Sequence, residues 1–359
     1  MHGDVLNLHS LTTRTMSFTR RKGISAMLCT ALPCPPVQAQ DNRATVLDET
    51  WLDAARQREV PVKLRWPDAS IHSGQRPVVL FSHGLGGTRD GGAVWGEAWA
   101  AAGFAVLHLQ HAGSDLAAVR GVASSFNDKT GLRSAAGAPQ LLARLRDVGF
   151  VLDEIGRRHA SNQSRWGAVR PTQVGMSGHS FGAHTTLGMA GQRYPGMQRN
   201  DGDYINEPRL ASFIALSPTL PASPDGGDAR RAFERLTRPL LSITGTRDGD
   251  VAATGATPER RMAVFAAMPS EGLPGDRPGG KAHLVLQDAD HMTFAGQTGR
   301  AVEIVPREAI TRDLQGAHHA LVAAITTDWW RATLLDDAAA RNRLRAPANL
   351  RAGDLWQQK

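Results

Sequence analysis

Residues 174–186 read VGMSGHSFGAHTT and place Ser180 between Gly178 and Gly182. The pattern Gly-x-Ser-x-Gly is typical of a nucleophilic serine on a sharp turn between a β-strand and an α-helix. TQVGMSG before the serine has the composition of a strand, and FGAHTTLGMA after it has that of a helix. The two glycines fit such a turn because the chain approaches itself there and leaves no room for a side chain. The spacing therefore predicts that Ser180 is a nucleophile.

A serine hydroxyl is a weak nucleophile near neutral pH, so this chemistry needs a histidine base and a carboxylate that orients the histidine. In this motif class the acid and then the histidine follow the serine along the chain. His291 follows HLVLQDAD, the last predicted strand, and is the candidate base. Asp248 follows PLLSIT and is the candidate acid, with Asp250 as the alternative. Asp290 adjoins His291 in the sequence, but the side chains of neighbouring residues in an extended segment point to opposite faces. Asp290 is therefore poorly placed to orient the imidazole.

Acyl transfer also needs hydrogen-bond donors for the negative oxygen that develops in the transition state. The backbone N–H of Phe181, directly after the serine, is one candidate. The second is expected after the strongest early strand, where residues 81–87 read FSHGLGG, and Leu85 is the candidate there. This glycine-rich segment lacks the G-x-G-x-x-G spacing of a dinucleotide-binding loop. The remaining histidines, such as His318 and His319 on the final helix, are interpreted as polar residues without a catalytic role.

Residues 1–40 differ from the rest of the chain. The basic cluster at residues 20–22 precedes the apolar stretch GISAMLCTALPCPPV, and the following VQA has the small residues that a signal peptidase requires. We expect an export signal cleaved near Ala39, translation from either Met1 or Met16, and a periplasmic or secreted mature protein. The stretch is too short and too rich in proline to span a bilayer.

The expected cleavage changes the composition. Cys29 and Cys34 both lie in the signal, so the mature chain would form no disulfide. Residues 1–40 hold four basic and one acidic side chain, so their removal lowers the formal net charge from +7 to +4 and disfavours nucleic-acid binding. The arginines of RNRLRAPANLR are interpreted as a solvated helix face. DGDYINE at residues 201–207 lacks the EF-hand spacing, so we expect no metal.

Apolar, β-branched segments alternate with helical patterns, as is typical of a mostly parallel sheet covered by helices on both faces. We predict a single α/β domain over residues 41–359, with strands at PVKLRW, RPVVLFSHG, AGFAVLHLQ, TQVGMSG, LASFIALSP, PLLSITG and KAHLVLQDA. One long helix is predicted from ITRDLQ to AAARN at the C-terminal end. Residues 111–139 interrupt the alternation and are the candidate for a small cap at the ligand-binding edge of the sheet.

With these motifs in place, the chain resembles the α/β-hydrolase superfamily. Within it, the chain is similar to the bacterial esterases grouped with dienelactone hydrolases and platelet-activating-factor acetylhydrolases, and more distantly to polyester and cutin hydrolases. The resemblance covers about residues 60–300 and rests on FSHGLGG, RDVGFVLDE, GMSGHSFGAHTT and DADHMTFAG. It implies the α/β-hydrolase fold, no cofactor, and a triad with an oxyanion hole formed by Ser180, Asp248, His291, Leu85 and Phe181.

Two positions depart from these relatives. Dienelactone hydrolase has a cysteine nucleophile where this chain has Ser180. The animal acetylhydrolases take their acid directly after the strand that follows the nucleophile, where this chain reads IALSPTLP, with Ser217 and no aspartate. This departure favours the later Asp248.

The sequence therefore predicts an exported serine hydrolase that cleaves carboxylic esters, small-molecule or lipid-like, through an acyl-enzyme intermediate. A peptidase or an acyltransferase is the alternative on the same triad, because the nucleophilic half-reaction is shared. A noncatalytic binding protein that kept the fold is the alternative from another class. The motifs specify the chemistry of the site rather than the acyl chain or the oligomeric state.

Overall fold

The computed structural model of the protein describes residues 44–69, 74–123, 128–194, 206–221, 229–252, 254–270, 280–298 and 305–359. The described residues belong to one compact unit, Asn42–Lys359. The expected export signal and residues 201–205 of DGDYINE lie outside the described ranges.

Nine strands of the described residues form a single sheet. They are β1 (Thr45–Asp53), β2 (Arg58–Trp66), β3 (Arg76–Ser82), β4 (Ala105–Leu109), β5 (Val169–His179), β6 (Leu210–Leu216), β7 (Leu240–Arg247), β8 (Lys281–Asp290) and β9 (Leu355–Gln358). Their order across the sheet is β1-β2-β4-β3-β5-β6-β7-β8-β9. Six neighbouring strands run parallel to one another, namely β4, β3, β5, β6, β7 and β8. Strands β1, β2 and β9 are antiparallel to their neighbours. The prediction of an α/β fold with a mostly parallel sheet is confirmed.

The helices connect and cover these strands. Within the described ranges they are α1 (Ala93–Ala101), α2 (Leu116–Val122), α3 (Lys129–Ser134), α4 (Ala138–Ala160), α5 (Phe181–Ala190), α6 (Ala229–Phe233), α7 (Pro258–Ala267), α8 (Ala309–Asp313), α9 (Gln315–Leu334) and α10 (Ala338–Arg345). None of them is long and apolar enough to cross a membrane.

The central strands are buried on both faces, which explains their unbroken apolar sequences. In β3, Val78 and Leu80 belong to the core that contains side chains of α4, α5 and α7. Val79 and Phe81 point to the opposite face and pack in the core that contains side chains of α1, α9 and α10. The period of two residues along a strand thus divides one apolar run between two cores. Helices on both faces hold the sheet rigid beneath the loops at its edge.

The C-terminal region differs from its prediction. The single predicted helix is three helices, α8 to α10, and the last begins where the side chain of Asp337 accepts a hydrogen bond from the amide of Ala340. His318 and His319 lie on α9, within the helical segment predicted for them, but both side chains are buried. Their Nε2 atoms lie 3.0 Å from the carbonyls of Gln287 and Thr293, so they tie this helix to the end of β8.

Four parallel strands deliver the predicted site residues to one edge. β3 ends at Ser82, β5 at His179, β7 at Arg247 and β8 at Asp290. The candidate oxyanion donor, nucleophile, acid and base follow these strand ends within three residues. The carboxyl ends of parallel strands lie along the same edge of a sheet, which is where open α/β sheets bind ligands.

Three core histidines predict how stability depends on pH. Burial lowers the pKa of His108 to about 3 and those of His111 and His283 to about 4, whereas an unfolded histidine titrates near about 6.5. Between these values the unfolded chain binds protons that the folded chain does not, so the free energy of unfolding falls as the pH falls. We expect a slope approaching about 1.4 kcal/mol per pH unit for each histidine below about pH 6.5.

Urea denaturation from pH 7.5 to 5.0 measures this slope above the range in which carboxylates titrate. In His108→Gln this slope should be smaller by up to about 1.4 kcal/mol per pH unit, the contribution of one histidine. A free energy of unfolding that stays constant over this range would contradict the prediction.

Candidate active site

Ser180, His291 and Asp248 form a continuous chain of hydrogen bonds. Ser180 Oγ lies 2.9 Å from His291 Nε2, and His291 Nδ1 lies 2.8 Å from Asp248 Oδ1. A carboxylate accepts hydrogen bonds only, so Nδ1 carries the proton and Nε2 presents its lone pair to the serine hydroxyl. The three side chains come from three strand ends, and the histidine and the aspartate are both buried. The structure therefore places the predicted nucleophile, base and acid in hydrogen-bonding order.

The serine sits on a strained turn. Its φ of 55° and ψ of −115° lie outside the regions that non-glycine residues favour. A β-carbon at Gly178 would lie 2.2 Å from the carbonyl oxygen of Gly182, and one at Gly182 would lie 1.9 Å from that of Ser82. Only glycine fits at either position. The turn raises Ser180 above the sheet at the first turn of α5.

The acid is buried but its charge is compensated. Burial alone would raise the pKa of Asp248, but the charges of Arg261 and His291 and several hydrogen bonds outweigh burial and lower it. Arg261 Nε lies 2.9 Å from Asp248 Oδ1. Ser217 and Thr244 donate to the other carboxylate oxygen, Oδ2, at 2.6 and 2.8 Å. The side chain is therefore an oriented carboxylate at neutral pH, as the histidine requires.

The structure distinguishes the candidate acid from its neighbours. Asp250 accepts from the amides of Ala252 and Gly255 at 3.0 and 2.6 Å, which stabilises its own turn, whereas Asp248 holds the hydrogen bond to His291. Asp290 accepts from the amide and hydroxyl of Thr293, each at 2.9 Å, and caps the short 3₁₀ helix that begins at His291. Both carboxylates shape the loops around the site.

The two candidate oxyanion donors flank the serine. Phe181 is the first residue of α5, where amides have no partner within the helix. Among the described residues, neither its amide nor that of Leu85 has a backbone acceptor. A β-carbon at Gly84 would lie 3.4 Å from the β-carbon of Ser180, so the loop after β3 passes beside the nucleophile. Both amides are thus free to bind a substrate oxygen.

His179 contacts both the backbone and the ring of the candidate base, His291. Its Nε2 lies 3.0 Å from the carbonyl oxygen of His291, and the two rings lie 4.7 Å apart between centroids. Burial holds the pKa of His179 well below its usual range, so the ring is neutral. A carbonyl only accepts, so Nε2 carries the proton of this neutral ring. The variable position of the Gly-x-Ser-x-Gly motif thereby fixes the backbone of the base.

The cleft over Ser180 and His291 consists of two adjoining pockets, both with mainly apolar walls. The first pocket has Phe81, Leu132, Met292 and Val305 among its lining residues. The second pocket has His184, Tyr194, Thr219 and Arg261 among its lining residues. Leu132 lies on α3, within the predicted cap segment 111–139, so the described part of this segment contributes to the cleft wall.

Comparison of the chain with protein-family models finds no match, and comparison with curated proteins finds none either. Within the described ranges, no group of three or more histidine, cysteine, aspartate or glutamate side chains has the arrangement of a metal site.

Several side chains that shape the site were not identified from the sequence. Arg261 donates to the carbonyls of Ser217 and Gly249 at 2.6 and 3.1 Å and ties α7 to the acid. Its only signal in the sequence is a charged residue among the apolar positions of α7. Ser217 stands directly after β6, where there is no aspartate, and its hydroxyl donates a hydrogen bond to the candidate acid Asp248.

The close approach at the turn predicts opposite effects for two glycine substitutions. Gly182→Ala places a methyl group inside the contact distance of a backbone carbonyl and should destabilise the protein by more than about 3 kcal/mol. Gly156→Ala is the matched control, because it lies within α4 and a β-carbon there meets no atom within 4 Å. It should stabilise the protein by about 0.5–1 kcal/mol. Urea denaturation measures both, and equal stabilities would contradict the turn geometry.

The position of the acid predicts unequal effects of two aspartate substitutions. Asp248→Asn keeps the shape but loses the charge that orients the imidazole, so turnover of an ester substrate should fall by about 10³- to 10⁴-fold. Asp250→Asn alters an exposed turn and should change turnover by no more than about twofold. Steady-state kinetics compare the two. A larger loss in Asp250→Asn would assign the acid to the alternative position.

Proposed function

We propose that the protein is a serine hydrolase that cleaves carboxylic esters through an acyl-enzyme intermediate. The observation that carries the proposal is the chain of hydrogen bonds from Ser180 through His291 to Asp248, with the serine on a strained turn inside a cleft. Side chains that only stabilise a fold are rarely arranged as a nucleophile, a base and an oriented carboxylate in this order.

The first half-reaction transfers the acyl group to the enzyme. Ser180 Oγ attacks the ester carbonyl carbon while its proton passes to His291 Nε2. The resulting imidazolium is stabilised by Asp248, and the negative oxygen of the tetrahedral intermediate is bound by the amides of Leu85 and Phe181. His291 then gives the proton to the leaving alcohol, the C–O bond of the ester breaks, and the acyl-serine remains.

The second half-reaction restores the enzyme. A water molecule attacks the acyl-serine carbonyl, and His291 takes one of its protons. Collapse of the second tetrahedral intermediate breaks the bond to Ser180 Oγ, which recovers the proton from the imidazolium. The products are a carboxylic acid and an alcohol, and every proton transfer uses the same imidazole.

The two pockets of the cleft support an ester as the substrate. They meet at Ser180 and His291, where the scissile carbonyl would lie. Their mainly apolar walls fit the acyl and alcohol parts of a small-molecule or lipid-like ester.

The proposal extends to the fold and to the location of the protein. The order of nucleophile, acid and base along parallel strands supports the α/β-hydrolase fold, with β1, β2 and β9 extending the sheet on both sides. The basic cluster and the apolar stretch within residues 1–40 support export to the periplasm or the medium.

Replacement of the nucleophile tests the proposal. Ser180→Ala removes the attacking oxygen, so hydrolysis of p-nitrophenyl acetate and butyrate should fall by at least about 10⁴-fold. Ser161→Ala, at the end of α4, removes an exposed hydroxyl and is the matched control. Equal rates in Ser180→Ala and the parent enzyme would overturn the esterase function and favour a noncatalytic binding protein. Panels of acyl esters, polyesters and aminoacyl amides then separate esterase from peptidase activity.

A further inference from the structure

Arg144, on α4, is a buried charge that the steps above do not use. Its side chain has no solvent exposure. Its neighbours along the chain, in LLARLRDVGF, are mostly apolar, and its guanidinium points into the protein beneath the loop after β3. Its hydrogen bonds go to Ser82 and Ser114 hydroxyls and to backbone carbonyls, and Nη2 also lies 3.3 Å from His83 Nδ1; no carboxylate of the described residues binds it directly. Burying a cation without a direct counter-ion is costly, so this placement calls for a role.

The guanidinium contacts both segments that carry the candidate oxyanion donors. Nη1 donates to the carbonyl of His83 at 2.7 Å, and Nη2 lies 3.4 Å from the carbonyl of Gly84. The carbonyl of Gly84 and the amide of Leu85 belong to one planar peptide group. The guanidinium also lies over the ring of Phe181, with 4.4 Å between its central carbon and the ring centroid.

A second donor holds the same peptide group. His83 Nε2 accepts from the amide of His111 at 3.0 Å, so in the neutral ring the proton is on Nδ1. That Nδ1 lies 2.6 Å from the carbonyl oxygen of Gly84. Burial and the charge of Arg144 hold the pKa of His83 well below its usual range, which keeps the ring neutral.

We propose that Arg144 is a positioning residue that fixes and polarises the Gly84–Leu85 peptide group, so that the amide of Leu85 binds the oxyanion of the transition state. This inference rests on the proposed hydrolase function. In a trans peptide the carbonyl and the amide point in opposite directions, so donors on the carbonyl side orient the N–H. Hydrogen bonds in series strengthen one another, and a cationic donor does so most.

A buried network holds the arginine in place. Arg144 Nε donates to Ser114 Oγ at 2.8 Å, and Ser82 Oγ lies 2.9 Å from His111 Nε2. His111 Nδ1 lies 3.0 Å from Asp147 Oδ2, whose carboxylate also binds Arg58. This second serine–histidine–aspartate chain has no exposed side chain. It therefore supports the loop and offers no nucleophile to a substrate.

The ionisation of the network fits this role. Burial lowers the pKa of Arg144 to about 9, while the charges of Asp147 and Asp115 oppose that fall. Burial would raise the pKa of Asp147, but its hydrogen bonds to His111 and Arg58 lower it to about 2. At neutral pH the site thus holds a guanidinium cation below the oxyanion loop.

The experiment compares three variants with the parent enzyme. Arg144→Met removes the charge and its hydrogen bonds, Arg144→Lys keeps a charge without the planar fork, and Ser114→Ala removes one anchor of the guanidinium. Arg238→Met is the matched control. Arg238 also donates to backbone carbonyls and lies over a phenylalanine ring, at 4.7 Å, but it precedes β7 at the opposite edge of the sheet.

Two reactions are measured on each protein: kcat and KM for p-nitrophenyl butyrate, and the rate at which a fluorophosphonate modifies Ser180. An interaction made mainly in the transition state lowers kcat and leaves KM unchanged. We expect Arg144→Met to lose about 10- to 100-fold in kcat and in phosphonylation rate, with KM within about threefold. Arg144→Lys should recover part of the loss, Ser114→Ala should lose several-fold, and Arg238→Met should match the parent.

Each other outcome has a defined meaning. Parent-like kcat and phosphonylation in Arg144→Met would overturn the inference and leave the proposed function intact. Equal losses in Arg144→Met and Arg238→Met, in step with a lower melting temperature, would assign a purely structural role and overturn it as well. If Arg144→Met fails to fold, parent-like rates in both Arg144→Lys and Ser114→Ala overturn it. A parent enzyme that is phosphonylated but hydrolyses no ester refutes the proposed function alone, because phosphonylation still measures the oxyanion site; one that does neither refutes both.

Discussion

The contact between α5 and the end of β3 is the constraint on which the site depends. A β-carbon at Gly182 would lie 1.9 Å from the carbonyl of Ser82, so the backbones meet with no side chain between them. This contact sets the first turn of α5 against the loop that carries Leu85. It also forces Ser180 into its strained conformation. The candidate nucleophile and both candidate oxyanion donors therefore depend on one backbone contact.

The protein buries charge on both sides of this unit and compensates it differently on each side. Asp248 is paired with Arg261 and receives hydrogen bonds from two hydroxyls, so its charge is fixed next to the base. Arg144 is bound by hydroxyls and carbonyls, and Asp147, one turn further along α4, compensates it at longer range. A direct ion pair would have drawn the guanidinium away from the loop carbonyls.

The sequence predicts the parts of the site that depend on local order. Ser180, Asp248 and His291 each directly follow a strand-forming run. Because the carboxyl ends of parallel strands lie along one edge of a sheet, the sequence indicates that the three side chains meet there. The supporting contacts depend on residues far apart in the chain, such as Ser217 and Asp248, which are separated by 31 positions. Strands β1 and β9 were also missed, since edge strands need not be apolar on both faces. The burial of His318 and His319 could not be predicted, because α9 buries a face that its composition does not mark.

The order of charges across the cleft supports the proposed catalysis rather than binding alone. In the proposed reaction, Asp248 is negative, His291 would become positive as it accepts the serine proton, the substrate oxygen would become negative, and Arg144 is positive behind the loop that carries Leu85. The four charges therefore alternate in sign only in the transition state, when the imidazolium of His291 and the oxyanion of the substrate have formed. A site that bound a neutral ester would gain little from two buried ions at its ends. A site that lowers the energy of a charge-separated transition state gains from both, because fixed charges in a dry interior need no reorganisation as the reaction proceeds.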